Sequence, residues 1–169
     1  MNNDIVLNTL RFIGLLLLQF FVMDQILFLG YINPMVYILF IVLYPMSNKR
    51  WTLLFLSFAL GIIIDTYQDT GGAHAAAAVT LTYVRPFLLK LVFGESYLMR
   101  NVKVMESSLD RIALIIGLSI VVHHLVYYSL IIFNVVQVLE ILKLTLVVGI
   151  ATFFVSFVLT VLFSKKASL

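Results

Sequence analysis

The side chains able to do chemistry cluster in Gly61-Ile62-Ile63-Ile64-Asp65-Thr66-Tyr67-Gln68-Asp69-Thr70-Gly71-Gly72-Ala73-His74. If a helix continues through Asp65, then Asp65 and Asp69 stand four residues apart on one face. Gly71-Gly72 supplies the positive-φ freedom to reverse the chain, and His74 falls in the first turn of the next helix. Three readings compete. The residues are polar loop groups at the outer surface, with Asp69 or Thr70 capping the following helix. Alternatively they form a packed polar junction that fixes two helices. A metal site from Asp65, Asp69 and His74 is the third, on three ligands at loose spacing. A second cluster, His123-His124, points its two rings about 100° apart on a helix. The pair does not suit one metal ion, and hydrogen bonds to neighbouring helices are the expected role. Glu140 and Lys143, three residues apart, neutralise each other.

Catalytic motifs are missing from the sequence. It contains no G-x-S-x-G, H-E-x-x-H or G-x-x-x-x-G-K-[ST], so hydrolase, zinc-protease and P-loop chemistry have no foothold. No arginine series marks a voltage sensor and no TVGYG filter a potassium pore. Cysteine is absent, which removes disulfides, thiolate metal sites and thiol nucleophiles.

The elements that position these groups follow from composition. The 169 residues are 63% hydrophobic and 11% charged, against roughly 45–50% and 25% in soluble domains. So few charges cannot cover a soluble surface. A net charge of +3 is also too small for nucleic-acid binding. The chain reads as one integral-membrane helical domain, 1–169. A bilayer core needs about 20 apolar residues per helix, and six candidate spans answer: Ile5–Met23, Ile26–Met46, Trp51–Ile64, Ala73–Phe93, Arg111–Phe133 and Val138–Phe163. Asn33-Pro34 interrupts the second, so its first part is a candidate re-entrant piece. The third is short unless it runs on into Asp65. Backbone groups in lipid must pair within their own segment, which selects helices.

Lysine and arginine separate the connections into two sets. Lys49 and Arg50 fall between spans two and three, Arg100 and Lys103 between four and five with Arg111 just beyond, and Lys165 and Lys166 after span six, all on one side. The connections around Asp24–Asn33, Asp65–Gly72 and Asn134–Gln137 carry none. Cytoplasmic loops collect these residues, so both termini are expected inside. Tyr44 and Trp51 are expected in an aromatic belt at that interface. The first apolar run ends in Asp24-Gln25-Ile26 rather than a small-residue cleavage site, so it reads as an uncleaved helix. With nothing outside the membrane longer than Gly94–Asp110, function falls to the helices and short loops.

Polar groups inside such spans need a reason. Ala73 and Ala75–Ala78 leave a helix face that another helix can approach closely, inside the bundle or in a partner. Arg85 lies deep, next to Pro86, which frees a backbone carbonyl one turn back. It either snorkels, satisfies a carbonyl, or pairs with a carboxylate or lipid phosphate. Lys90 is close enough to the inner boundary to snorkel.

Gly61-Ile62-Ile63-Ile64-Asp65, the turn ending Gly71-Gly72-Ala73-His74-Ala75, and Tyr83-Val84-Arg85-Pro86 resemble the rod shape-determining protein MreD family of bacterial inner membranes. Ile32-Asn33-Pro34 and the chain length fit the same resemblance, which therefore covers essentially the whole chain. It implies an all-α bundle of six transmembrane helices, like the substrate-binding subunits of energy-coupling-factor vitamin transporters. It also implies a non-enzymatic, cofactor-free subunit of the cell-elongation machinery in the bacterial inner membrane. Such a subunit associates with the bitopic MreC, and through it with MreB, RodA and an elongation transpeptidase, among membrane lipid and without nucleic acid. Gly61, Asp65, Asp69, Gly72, His74, Ala77 and Arg85 are the candidate structural or partner-contact residues. The alternative is a transporter subunit that binds a vitamin-like molecule, for which Asp65, Tyr67, Gln68, Asp69 and His74 are the outer polar groups.

Overall fold

The computed structural model describes residues 2–26, 30, 32–46, 50–94, 97 and 103–163, with side chains from residue 5 onward. Lys49, Arg100, Lys165 and Lys166 lie outside the described residues. The chain is helical: α1 (Asn2–Leu18, continued by a π-helical turn Gln19–Met23), α2 (Ile38–Leu43), α3 (Arg50–Gln68), α4 (Ala73–Phe93), α5 (Leu109–Ile132) and α6 (Val138–Phe163). Short 3-10 turns, Val104–Glu106 and Val135–Gln137, precede α5 and α6. Among the described residues five helices are long and apolar enough to cross a membrane: all but α2.

The expected second span is the exception. In place of a long helix from Ile26, the chain carries an irregular stretch, Ile32–Tyr37, and then the six residues of α2. Six helical residues rise about 9 Å, far short of a bilayer core of about 30 Å. Pro34 supplies no N–H and holds Asn33 out of the helical region, so a helix starts only after it. The whole stretch is enclosed, with Val36 to Val42 at most 2% exposed. Irregular backbone at membrane depth is tolerated only when protein surrounds it. Here α1, α4 and α5 do so.

The sequence supplies the groups that satisfy this broken element. Gln19 of α1 is fully buried; its amide accepts from Val36 N at 3.0 Å and donates to Pro34 O at 3.2 Å. Thr152 Oγ1 of α6 accepts from Met35 N at 3.1 Å. At the other end, Arg11 donates to Leu43 O at 3.4 Å, and Arg85 to Val42 O at 3.3 Å and to Tyr44 O. Two guanidiniums thus cap the C-terminus of α2, where orphan carbonyls and the negative end of the helix dipole lie. Arg85 neither snorkels nor, among the described residues, pairs with a carboxylate; it is 7% exposed and serves the backbone of its neighbour. Tyr44 is likewise buried, so of the expected belt pair only Trp51 faces outward. Replacing Arg85 by Met keeps the apolar stem and removes the donors. Its melting midpoint in detergent should fall by the equivalent of about 2–3 kcal/mol, the cost of stranding buried acceptors. Arg85→Lys should fall between: both bonds come from Nη2, so one ammonium can supply the donors, but on a shorter stem and with a more strongly hydrated head.

The rest is an antiparallel series. α3 packs on α4, α4 on α5 and α5 on α6, whereas α1 touches the others sparingly. Small and hydroxyl-bearing residues set these contacts, as expected where no hydrophobic drive exists between helices in lipid. Ser57 and Thr82 join α3 to α4 through a 2.6 Å hydroxyl pair. On α6 the buried face combines Thr145, Gly149, Thr152, Ser156 and Thr160 with the aliphatic Ile141 and Val148. Ala73, Ala75, Ala77 and Ala78 are buried too. The alanine run therefore belongs to the bundle interior, and Ala77, with no exposed surface, is not a partner contact.

Candidate functional site

The α3–α4 turn is built around Asp65. Its Oδ1 accepts from His74 N at 2.9 Å and its Oδ2 from Ala75 N at 2.8 Å. The Thr70 hydroxyl adds a 2.5 Å bond to Oδ1. A carboxylate on α3 thus fills the N-terminal cap of α4, pairing orphan amides and opposing the positive end of the dipole. Neither Asp69 nor Thr70 is the cap. Asp69 turns outward at φ +55 and Gly71 and Gly72 follow at +62 and +97, so these three left-handed residues make the reversal. The helix does continue past Asp65, to Gln68, but Asp65 is buried and Asp69 exposed, so the two carboxylates do not converge. Among the described residues no three potential ligands come together on a metal.

One turn earlier, Gly61 permits the close approach on which this cap depends. A β-carbon there would fall 2.5 Å from Ala75 N and 2.8 Å from the His74 carbonyl carbon. Gly61, Asp65, Gly72, His74 and Ala75 therefore act as one clamp between α3 and α4.

Beyond the clamp, hydrogen bonds run from the membrane-boundary end of the bundle to its middle. The wide π turn brings Asp24 over Gln19, whose Nε2 donates to Asp24 Oδ1 at 2.7 Å. Asn33 Nδ2 adds a bond of 2.8 Å and Gln68 Nε2 two of 3.1 Å to the same carboxylate. A carboxylate only accepts, so Gln68 must present its amide nitrogen there and its Oε1 elsewhere. That oxygen lies 2.9 Å from His74 Nε2, which therefore donates. A neutral imidazole that donates at one nitrogen accepts at the other. His74 Nδ1 thus accepts a hydrogen bond from the Tyr37 hydroxyl at 2.7 Å, and the Tyr37 oxygen accepts one from His123 Nε2–H at 2.7 Å. His123 Nδ1 ends the chain as a buried acceptor without a partner among the described residues. His124 turns the other way, to Thr152 Oγ1 at 3.2 Å. The adjacent histidines do serve two different neighbours, as their angular separation requires.

Rings complete the packing. His74 lies 4.4 Å from the Tyr127 centroid, and Tyr37 meets His74 and His123 edge-on at 5.6 and 5.3 Å. Gln19, Asp24, Asn33, Tyr37 and Thr152 are the members that sequence reasoning left out. Gln19 was detectable as an amide midway along an apolar run, because a polar side chain there must have a partner. The others lack a comparable signal, since their role depends on where the broken segment lies.

Tyr37 bridges two imidazoles, so Tyr37→Phe leaves both without their partner while preserving the ring. The expected loss is about 1–3 kcal/mol of stability, read as a lower thermal midpoint of the purified chain.

Chemically, the cluster positions and satisfies. Its two carboxylates, Asp24 and Asp65, are occupied by amides and, at Asp65, by the Thr70 hydroxyl. No protein-family model matches the chain, and neither a curated protein nor a solved structure matches it.

Proposed function

We propose that this chain is a non-enzymatic integral-membrane subunit of the bacterial cell-elongation machinery, of the MreD kind. In this reading it supports cell shape and lateral peptidoglycan synthesis by binding a bitopic MreC-type partner, and through it MreB, RodA and an elongation transpeptidase. What supports the reading is the clamp: the residues that carry the resemblance, Gly61-Ile62-Ile63-Ile64-Asp65 and Gly71-Gly72-Ala73-His74-Ala75, form one physical unit. Their polar atoms are spent on holding helices together, which suits a scaffold that presents apolar outer faces to another helix.

The proposed setting is the inner membrane, with six crossings and both termini cytoplasmic. The second crossing is the segment through α2. It runs antiparallel to α1, since Pro34 lies beside Gln19 and Leu43 beside Arg11. The described cations Arg50, Lys90, Lys103 and Arg111 lie at the end where α1 starts, whereas Lys143 at the other end is paired with Glu140 at 3.4 Å. Cysteine at Asp69 should react with an impermeant thiol reagent on intact cells, and cysteine at Lys103 should not. The reverse pattern sinks the orientation, and the chain's lack of cysteine keeps the background clean.

Complementation tests the function. Expressed in a rod-shaped bacterium lacking its own MreD, together with an MreC-type partner from the same genome, the chain should restore cell width. Round cells at normal protein abundance would reject the reading. The broken second segment favours a different reading, a vitamin-like-molecule-binding transporter subunit, because interrupted helices frame substrate sites in transporters. Genes for an ATPase and a coupling subunit alongside would favour it.

A further inference from the structure

α1 is held firmly at its C-terminal end and thinly along its N-terminal half. At the C-terminal end Gln19 is fully buried against the backbone of Pro34 and Val36. Phe20 and Tyr67 pack with centroids 4.4 Å apart, Gln25 Nε2 donates to Tyr67 Oη at 3.1 Å, and Gln68 reaches Asp24. Toward its start the helix stands away from α3, and a half-open cavity of about 380 Å³ separates Thr9 and Phe12 from Thr52 and Leu56. Across residues 5–18 only Asn8 and Leu16 are buried. The tethers of this half include Phe12, edge-on to Phe40 with centroids 5.3 Å apart, and Arg11, which reaches Leu43 O at a long 3.4 Å and Met105 Sδ at 3.0 Å. Gly14 stands between the thin half and the firm end. A β-carbon added there would meet nothing within 4 Å, so no close approach accounts for the missing side chain.

A segment with few buried contacts is the part of a fold that opens locally, and a glycine inside a helix weakens it at that point. The docked position also carries a cost of its own. Asn8 Oδ1 is sealed inside the protein and has no hydrogen-bond partner among the described residues, and a buried acceptor without a donor is unfavourable. Asn8 lies only about 5 Å along the helix from the start of the span, so interfacial water can satisfy it once the helix moves, and the long Arg11 side chain can snorkel to the same boundary. Gln19 has no such freedom. It serves broken backbone at a depth where lipid offers no substitute, which fixes the far half of the helix. We propose that residues 5–13 form a hinged strap, which swings away from α2 and α3 about Gly14 while Gln19–Asp24 stays clasped. Opening uncovers the C-terminal end of α2, and docking covers it. The device is independent of the cell-shape reading.

The full chain has no cysteine, so spin labels can be placed at will. One pair replaces Leu10 of α1 and Phe55 of α3, which are exposed and line neither wall of the cavity. A second pair, at exposed Phe21 and Ile63, reports the clasped end. Distances are read by double electron–electron resonance in phosphatidylcholine bilayers. The first pair should give two distances and the second pair one. Gly14→Ala stiffens the helix without touching a neighbour and should lower the longer-distance population about two- to fivefold. Asn8→Leu removes the stranded acceptor and should lower it about fivefold or more. Arg11→Met removes a tether and should raise it. Gly14→Ala carries the test if Asn8→Leu does not fold, as judged by elution profile and helical circular dichroism. A single narrow distance at the first pair, in the parent and in Arg11→Met alike, overturns the proposal. So do two distances whose populations ignore Gly14→Ala. Matching changes at both pairs mean that α1 moves as one rod, which overturns the hinge.

Discussion

Gly61→Ala is expected to break the α3–α4 pairing, because the added methyl meets backbone instead of a side chain that can rotate away. The nearest atoms belong to Ala75 and His74, both fixed by their bonds to Asp65. Relief requires α4 to move outward, which stretches the cap and disturbs the Ser57–Thr82 pair. Overpacking a tight contact costs about 1–3 kcal/mol and sometimes more, and this site belongs at the top of that range. Folded yield after size-exclusion chromatography in detergent should drop steeply. Gly117→Ala is the internal control: its β-carbon would lie 3.8 Å from the Phe153 ring, in ordinary contact. That variant should match the parent or gain slightly, since alanine loses less backbone freedom in a helix. Equal behaviour of the two variants would refute the clamp.

Asp65→Leu should be comparably severe for a different reason. The leucine fits an apolar interior, but the His74 and Ala75 amides and the Thr70 hydroxyl lose their acceptor together. Hydrogen bonds to charged groups contribute about 1.5–3 kcal/mol each, so a loss of about 3 kcal/mol or more is expected. Asp65→Asn keeps one accepting oxygen and should retain a measurable share of the stability. The ordering Asp65, then Asn, then Leu in thermal midpoint is the diagnostic result. Wild-type melting of Asp65→Leu would return this residue to an ordinary turn position.

Much of this was legible in the residues. The long apolar runs mark α1, α3, α4, α5 and α6 because lipid leaves helices as the solution for a continuous apolar segment. Gly61, Asp65 and the Gly71-Gly72 turn offered a packed junction as one of three readings, and the backbone amides that meet Asp65 decide among them. Less could be read where the outcome depends on three-dimensional neighbours. Arg85 is as compatible with snorkelling as with capping until α2 is known to end beside it. Asn33-Pro34 marked an interruption, yet nothing local says that the helix beyond it lasts only from Ile38 to Leu43. The alanines allow close approach, and only the position of Gly61 decides that the approaching helix is internal. Asp69 appeared equivalent to Asp65 by helical spacing, but a left-handed backbone at Asp69 rotates its side chain out of the clamp.

The enclosed second segment also constrains the order in which the chain can be made. Residues 32–46 emerge early, but their backbone partners are spread along the chain: Gln19 precedes them, Arg85 follows, and Thr152, bonded to Met35, stands 117 residues later on the last helix. Until α6 has entered the bilayer, the Met35 amide has no Thr152 hydroxyl to bind, and lipid offers no substitute. The Met35 amide therefore stays without this partner until α6 packs against it. That bond closes only when α6 packs over a segment synthesised long before.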